Sequence, residues 1–350
     1  MKIEIDGRSI GPGYEPYVIC EISGNHNGSL QRALSLIEAA ADTGADAIKI
    51  QSYTADTITI EHESEEFRIR GTIWDGATLH QLYKSAETPF EWHEPMFAKA
   101  RELGITLFSS PFDESAVDLL ASLDAPAYKI ASFEIVDLPL IRKVARQGKP
   151  MIISTGMANL AETHEAVCAA REEGCDEIIL LHCVSSYPAP DEDSNIRTIP
   201  HLGQAFDCVA GLSDHTMGSA VAVASIALGA SVVEKHFTLA RSDGGPDSEF
   251  SLEPQEFASL VTDCKRAWRA LGSVGYDLKG AERGSVQFRR SLYVVQDVAA
   301  GEVITERHIR SIRPGYGLEP KYFKNIIGAV AARKLKRGEA LAWDMLNKAH

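Results

Sequence analysis

Eight short apolar runs recur along this chain, and amphipathic helical stretches separate most of them. The runs are 17–22, 45–51, 105–109, 127–130, 150–154, 177–182, 208–212 and 231–236. A strand buried on both faces reads as a continuous apolar run, and parallel strands need a crossover helix between them. Eight such units predict an α/β fold, a (β/α)8 TIM barrel. Helices are legible over 30–43, 91–103, 160–173 and 219–228, each followed by a glycine: Gly44, Gly104, Gly174 and Gly229. Glycine there supplies the left-handed cap that ends a helix.

Two regions depart from the rhythm. Segment 55–88 carries charges, Gly71, Trp74 and Gly76, and reads as a long loop at the barrel's C-terminal face, helical around 79–86. After about residue 272 glycines and charges replace the periodic pattern. The expected organisation is a catalytic barrel over 1–275 with an N-terminal β-hairpin cap, a linker over 276–288, and a β-rich unit over 289–350. The last unit, of about 60 residues, is marginal as a free-standing domain and is expected to dock on another surface.

Composition narrows the functional classes. The net charge of −14 argues against nucleic acid and anionic membranes as partners. No apolar run is long enough to span a bilayer, and the polar–apolar alternation from Met1 to Asp6 is unlike a signal peptide, so a cytoplasmic location is expected. The six cysteines form no C-x-x-C pair, which fits free thiols in a reducing compartment.

Barrel chemistry sits where the strands end, and here polar residues follow every run. His215 and His236 close neighbouring runs, within reach of one divalent metal with open positions: manganese, iron, cobalt or zinc. Lys49, Lys129, Ser109, Ser132, Ser154 and Ser213 supply the cationic heads and short hydroxyls that a phosphate and a carboxylate need, a cradle suited to phosphoenolpyruvate. Glu21 and Glu134 are the carboxylates best placed for proton transfer or hydroxyl recognition, and Glu234 for support behind the metal ligands. Lys129 or Lys235 also admits a Schiff-base reading.

On these residues the chain resembles the sialic acid synthase family over essentially its whole length. The motifs are Glu21-Ile-Ser-Gly-Asn-His-Asn-Gly28, Gly44-Ala-Asp-Ala-Ile-Lys-Ile-Gln51, Pro126-Ala-Tyr-Lys-Ile-Ala-Ser132, Ser154-Thr-Gly-Met157, Leu181-His-Cys183 with Tyr187-Pro188, Gly211-Leu-Ser-Asp-His215 and Glu234-Lys-His-Phe237. The tail resembles that family's antifreeze-like (SAF) domain, with Ile312-Arg-Pro-Gly-Tyr-Gly317 matching the segment that carries a substrate-binding arginine. The resemblance implies Mn²⁺ on His215 and His236, phosphoenolpyruvate on Lys49, Lys129, Ser132, Ser154 and Ser213, and sugar near Gln51, Tyr187 and Asp247. It also implies a domain-swapped homodimer in which Arg313 completes a neighbour's site. Segments 71–92 and 245–254 look most like the branch that makes pseudaminic acid. Ser185, a further candidate for substrate binding, stands where the N-acetylneuraminate branch carries asparagine.

The expected activity is a metal-dependent condensation of phosphoenolpyruvate with 2,4-diacetamido-2,4,6-trideoxy-L-altrose, releasing phosphate by C–O cleavage. Trp74, Tyr83, Phe90, Trp92 and Phe250 are candidates for the apolar surface such a sugar needs. Alternatives are an N-acetylneuraminate or legionaminate synthase, a class I aldolase using Lys129, and a non-catalytic sugar-binding protein.

Overall fold

The computed structural model describes residues 2–71 and 74–347, which form two compact units, Met1–Gly272 and Ser273–His350. The first begins with a hairpin of β1 (Ile3–Ile5) and β2 (Arg8–Ile10). Its turn is Asp6-Gly7, with φ of 49° and 77°, the paired positive values that match the twist of a two-residue hairpin.

Eight parallel strands follow: β3 (Tyr17–Glu21), β4 (Ala47–Ser52), β5 (Thr106–Pro111), β6 (Tyr128–Ile130), β7 (Met151–Ser154), β8 (Ile178–Cys183), β9 (Val209–Asp214) and β10 (Val232–His236). They close in sequence order, β10 pairing with β3. All eight runs read from the sequence are strands, within a residue or two at each end. The long loop holds helices Ala55–Ile58 and Leu79–Ala86, the second started by a Thr78/Gln81 capping box.

Both faces of the strands are buried, in different company. Val18, Cys20, Ile48 and Ile50 point outward into the layer shared with the helices. Tyr17, Ile19, Ala47, Phe108, Ala127, Ile152, Ile179, Leu181, Val209 and Val232 fill the inside, and Ile3, Ile5 and Ile10 of the hairpin pack against them as a plug. Gly211 occupies an inward position in this packed layer. A Cβ there would lie 2.3 Å from the Val232 carbonyl oxygen and 2.8 Å from Leu181 Cδ2, so only glycine fits.

The second unit pairs β11 (Ser291–Val294) with β12 (Ile309–Ile312) and β13 (Val330–Ala331) with β14 (Leu346–Asn347). Its own core includes Leu292, Val294, Ile304, Ile309, Leu335 and Leu341. Segment 276–288, read as a linker, contains a 3-10 run at Gly280–Phe288. Among the described residues no helix is long and apolar enough to cross a membrane.

Candidate active site

Side chains alternate along a strand, so the packed inner layer fixes which residues look into the barrel above it. The next inward positions are Glu21, Lys49, Gln51, Ser110, Lys129, Ser154, Cys183, Ser213, Glu234 and His236. Lys49, Gln51, Lys129, Ser154, Ser213, Glu234 and His236 among them line a cavity of about 340 Å³ at the C-terminal end of the barrel. Glu134 and Phe133 after β6, Tyr187 after β8, His215 after β9, and Pro246 and Asp247 after β10 complete it. Ile58, Trp74, Leu82 and Tyr83 of the long loop supply one apolar side.

Lys49 is the electrostatic centre. Its Nζ lies 3.0 Å from Glu21 Oε2 and 2.9 Å from Glu234 Oε1, and it donates to Ser110 Oγ at 3.4 Å. Gln51 donates to the other Glu21 oxygen at 3.1 Å, and Ser213 to Glu234 at 3.4 Å. Burial alone would discharge Lys49, but the two carboxylates outweigh it and hold its pKa above the ordinary lysine range. Burial raises Glu21 to about 7 against the pull of Lys49. Burial also opposes ionisation of Glu234, yet Lys49 and Lys129 overcome it and its pKa falls. Two carboxylates sharing one ammonium thus divide into one that readily takes a proton and one that keeps its charge.

Among the described residues Lys129 has no carboxylate within ion-pair distance. Its ammonium donates to the Ile130 carbonyl at 2.9 Å, and burial lowers its pKa to about 8. Burial raises Glu134 to about 7. Glu134 Oε2 and Ser154 Oγ are buried with no hydrogen-bond partner among the described residues, which is costly unless a ligand supplies one. Gly156 opens room beside them: a Cβ there would sit 2.7 Å from Ser132 Oγ and 2.2 Å from Ser185 Oγ. The Gly156 amide donates to Ser132 Oγ at 3.2 Å. Backbone and hydroxyl groups converge on a space that a side chain would fill, as an oxyanion needs.

The imidazoles of His215 and His236 lie 5.3 Å apart, centroid to centroid. Nδ1 of His215 is 2.9 Å from the Val184 carbonyl oxygen, and Nδ1 of His236 is 3.4 Å from Ser23 Oγ. Ser23 in turn donates to Asp247 at 2.5 Å. Both rings are therefore oriented through Nδ1, leaving Nε2 of each as the free ligating atom, the usual arrangement behind a metal-bound histidine. Among the described residues no group of three or more His, Cys, Asp or Glu side chains is gathered as a metal cage. The donor set fits a cation held by two imidazoles and otherwise open to substrate and water. Tyr187 packs on His215 at 4.4 Å, and Phe250 on His236 at 5.0 Å.

Most residues expected from the sequence line this cavity: Lys49, Gln51, Lys129, Ser132, Glu134, Ser154, Tyr187, Ser213, His215, His236 and Asp247. Glu21 lies directly beneath, on Lys49. Ser109 does not belong with them. It points outward, 2.6 Å from Ser52 Oγ and bonded to the Ile50 carbonyl, and its neighbour Ser110 holds the inward position. Lys235 also points outward, onto Asp214, which removes it as a Schiff-base candidate. Trp74 and Tyr83 reach the cavity, whereas Trp92 packs on His26 and Phe90 on His93. Arg313 follows β12 in the second unit and is exposed.

Sequence reading missed Ser110, Cys183 and Ser23. Cys183 is buried 3.8 Å from His215 Nδ1, and although burial acts to raise its pKa, His215, Ser132 and Lys129 bring it down to about 7. Ser110 and Cys183 follow Phe108 and Leu181 at the two-residue repeat, and only the packed inner layer shows that this face points inward. Ser23 lies in a loop and carried no signal.

The NeuB family pattern matches residues 36–276, and a SAF domain pattern matches 289–347. A pseudaminic acid synthase from Helicobacter pylori is 43 % identical over 335 residues, covering 95 % of this chain and 98 % of that one. An N,N'-diacetyllegionaminic acid synthase from Campylobacter jejuni is 37 % identical, covering 93 % and 98 %. The crystal structure of an N-acetylneuraminic acid synthetase from Leptospira borgpetersenii superposes with a TM-score of 0.73 at 31 % identity, covering 83 % of this chain and 96 % of that one. With a barrel of this topology, a cavity of this make-up and likeness along nearly its full length, the chain belongs to the NeuB family, the sialic-acid-type synthases, and ends in a SAF domain.

Proposed function

We propose that this protein is a pseudaminic acid synthase, condensing phosphoenolpyruvate with 2,4-diacetamido-2,4,6-trideoxy-L-altrose in its open-chain form. The observation that carries the reading is one cavity that sets a lysine- and hydroxyl-lined anion site beside a facing pair of histidines and an apolar side. The relative named above at 43 % identity is a pseudaminic acid synthase, which favours that branch over the legionaminate relative at 37 %.

Lys49, Lys129 and the hydroxyls of Ser132, Ser154 and Ser213 hold the carboxylate and phosphate and orient C3 toward the sugar. His215 and His236 would hold a divalent cation, Mn²⁺ in our reading, whose chemistry is Lewis-acid polarisation of the aldehyde oxygen. A C–C bond forms between C3 of phosphoenolpyruvate and the aldehyde carbon. Water adds at C2, and the tetrahedral centre collapses to a ketone as the C–O bond breaks and phosphate leaves. Glu21 and Glu134, each near pKa 7, exchange protons readily at neutral pH and manage the water proton or the sugar hydroxyls. Gln51, Tyr187 and Asp247 meet the sugar, with Trp74, Tyr83, Leu82 and Ile58 against its methyl groups.

We also infer a cytoplasmic location, where phosphoenolpyruvate is supplied, and a homodimer in which Arg313 is supplied by a second copy. The exposed Phe133, Val136, Met157 and Met217 on the loops around the cavity support a covering partner.

Mass spectrometry of products from phosphoenolpyruvate and a panel of acetamido sugars tests the reading. Pseudaminic acid is expected as the main product, with turnover lost on chelation and restored by Mn²⁺, and phosphate unlabelled in ¹⁸O water. Activity is also expected to return when inactive Arg313→Ala and His236→Ala chains exchange subunits. A preference for N-acetylmannosamine would move the assignment to the neuraminate branch. Chelator-resistant turnover with a borohydride-trapped adduct on Lys129 would overturn it in favour of an aldolase.

A further inference from the structure

Asp214 and Lys235 face each other in register across β9 and β10. Their side chains alternate with those of Ser213, Glu234 and His236, so they point away from the cavity, and each is only 1 % exposed. Lys235 Nζ lies 2.7 Å from Asp214 Oδ2 and donates to the Thr216 carbonyl at 2.6 Å. The second Asp214 oxygen, Oδ1, accepts from the Thr216 amide at 3.0 Å and from its hydroxyl at 2.8 Å. The bonds close a loop around one backbone residue, His215. The lysine that anchors them is the immediate neighbour of His236. A single clasp outside the barrel therefore grips the backbone at both histidines.

A buried ion pair is poor value as a source of stability. Apolar residues of similar size in its place are often neutral or stabilising, because two desolvated charges barely recover their hydration. What such a pair does supply is one allowed geometry, here at the point where two strands release two imidazoles. We propose that Asp214, Thr216 and Lys235 are positioning residues that set the spacing and orientation of His215 and His236 for the cation. The inference rests on the reading of those histidines as its ligands.

The test titrates Mn²⁺ alone into the metal-free full chain and follows free and bound ion by electron paramagnetic resonance. Wild type is compared with the Asp214→Leu/Lys235→Met double variant, which removes both charges and leaves neither unpaired. Thr216→Val, which removes one bond, and Ser52→Ala complete the set. Ser52 belongs to another buried outward network, with His93 and Ser109 at 2.6 Å each, on a strand that pairs with neither β9 nor β10. The double variant should bind Mn²⁺ about 10–100-fold more weakly, the usual cost of losing support behind a metal ligand. Thr216→Val should lose a few-fold, and Ser52→Ala nothing, with circular dichroism unchanged throughout. A purely structural role would shift the urea midpoint and leave the affinity of the folded protein alone. Equal affinity in wild type and double variant overturns the clasp. Should the double variant not fold, equal affinity in Thr216→Val does so. Wild type that takes up no Mn²⁺ overturns the metal reading and this inference together.

Discussion

Ile19 and Glu21 are two residues apart on β3 and point into the same barrel, yet they are held by different physics. Around Ile19 the inner layer is apolar, plugged by the hairpin, and satisfied by packing alone. Around Glu21 every strand contributes a polar or charged group, and several of those groups have too few partners. The lower layer resembles the interior of any barrel and would tolerate another well-packed set of similar volume. The upper layer holds desolvated charge in a fixed arrangement, a state that costs stability and is what a reaction with an anionic substrate requires. One structural frame thus separates stability from chemistry by a single step of the strand repeat.

Lys49→Met should separate the two layers most sharply. It strands Glu21 and Glu234 without their shared cation, so a loss of about 3–5 kcal/mol of stability is expected. Phosphoenolpyruvate condensation should fall by at least about 10²–10³-fold. Phosphate release and urea unfolding read the two effects, and full activity would remove the lysine from the anion site. Phe108→Ala empties part of the lower layer, with a comparable cost of about 3–5 kcal/mol. There kcat and KM of the folded enzyme should stay within a few-fold of wild type. A large loss of kcat in folded protein would show that the two layers are not independent.

Glu134→Gln should give the smallest effect, and one that depends on pH. The folded protein holds a proton on Glu134 up to about pH 7, whereas an unfolded chain releases it near the ordinary glutamate value of about 4.3. The folded state therefore binds more protons across that window, and stability falls as pH rises through it. Glutamine carries no such penalty. The metal- and substrate-free variant should be more stable than wild type by about 1–3 kcal/mol at pH 8, with the gap closing toward pH 4. An equal gap at both pH values would mean that the carboxyl does not carry its proton into the fold.

The two-sided burial of barrel strands explains what could be read from the sequence. Runs such as 178–181 are apolar on both faces, so they announce a strand clearly and its inward face hardly at all. The barrel, its order and the strand-end clusters were therefore legible. Ser109 against Ser110 was not, because both are serines at the end of one run and only the packed layer decides between them. Lys235 shows the same ambiguity. Ser23 and Gly156 matter through close approach in space, which no local pattern encodes.

The hairpin plug has a consequence for the order of events. With Ile3, Ile5 and Ile10 sealing the N-terminal end, the barrel is a vessel with a closed floor and one door. Lys49 and Lys129 sit one step above that floor, whereas Trp74, Pro246 and Asp247 stand on loops nearer the opening. In such a vessel the ligand that lies lowest has to arrive before the one above it, and it cannot leave until the upper one has gone.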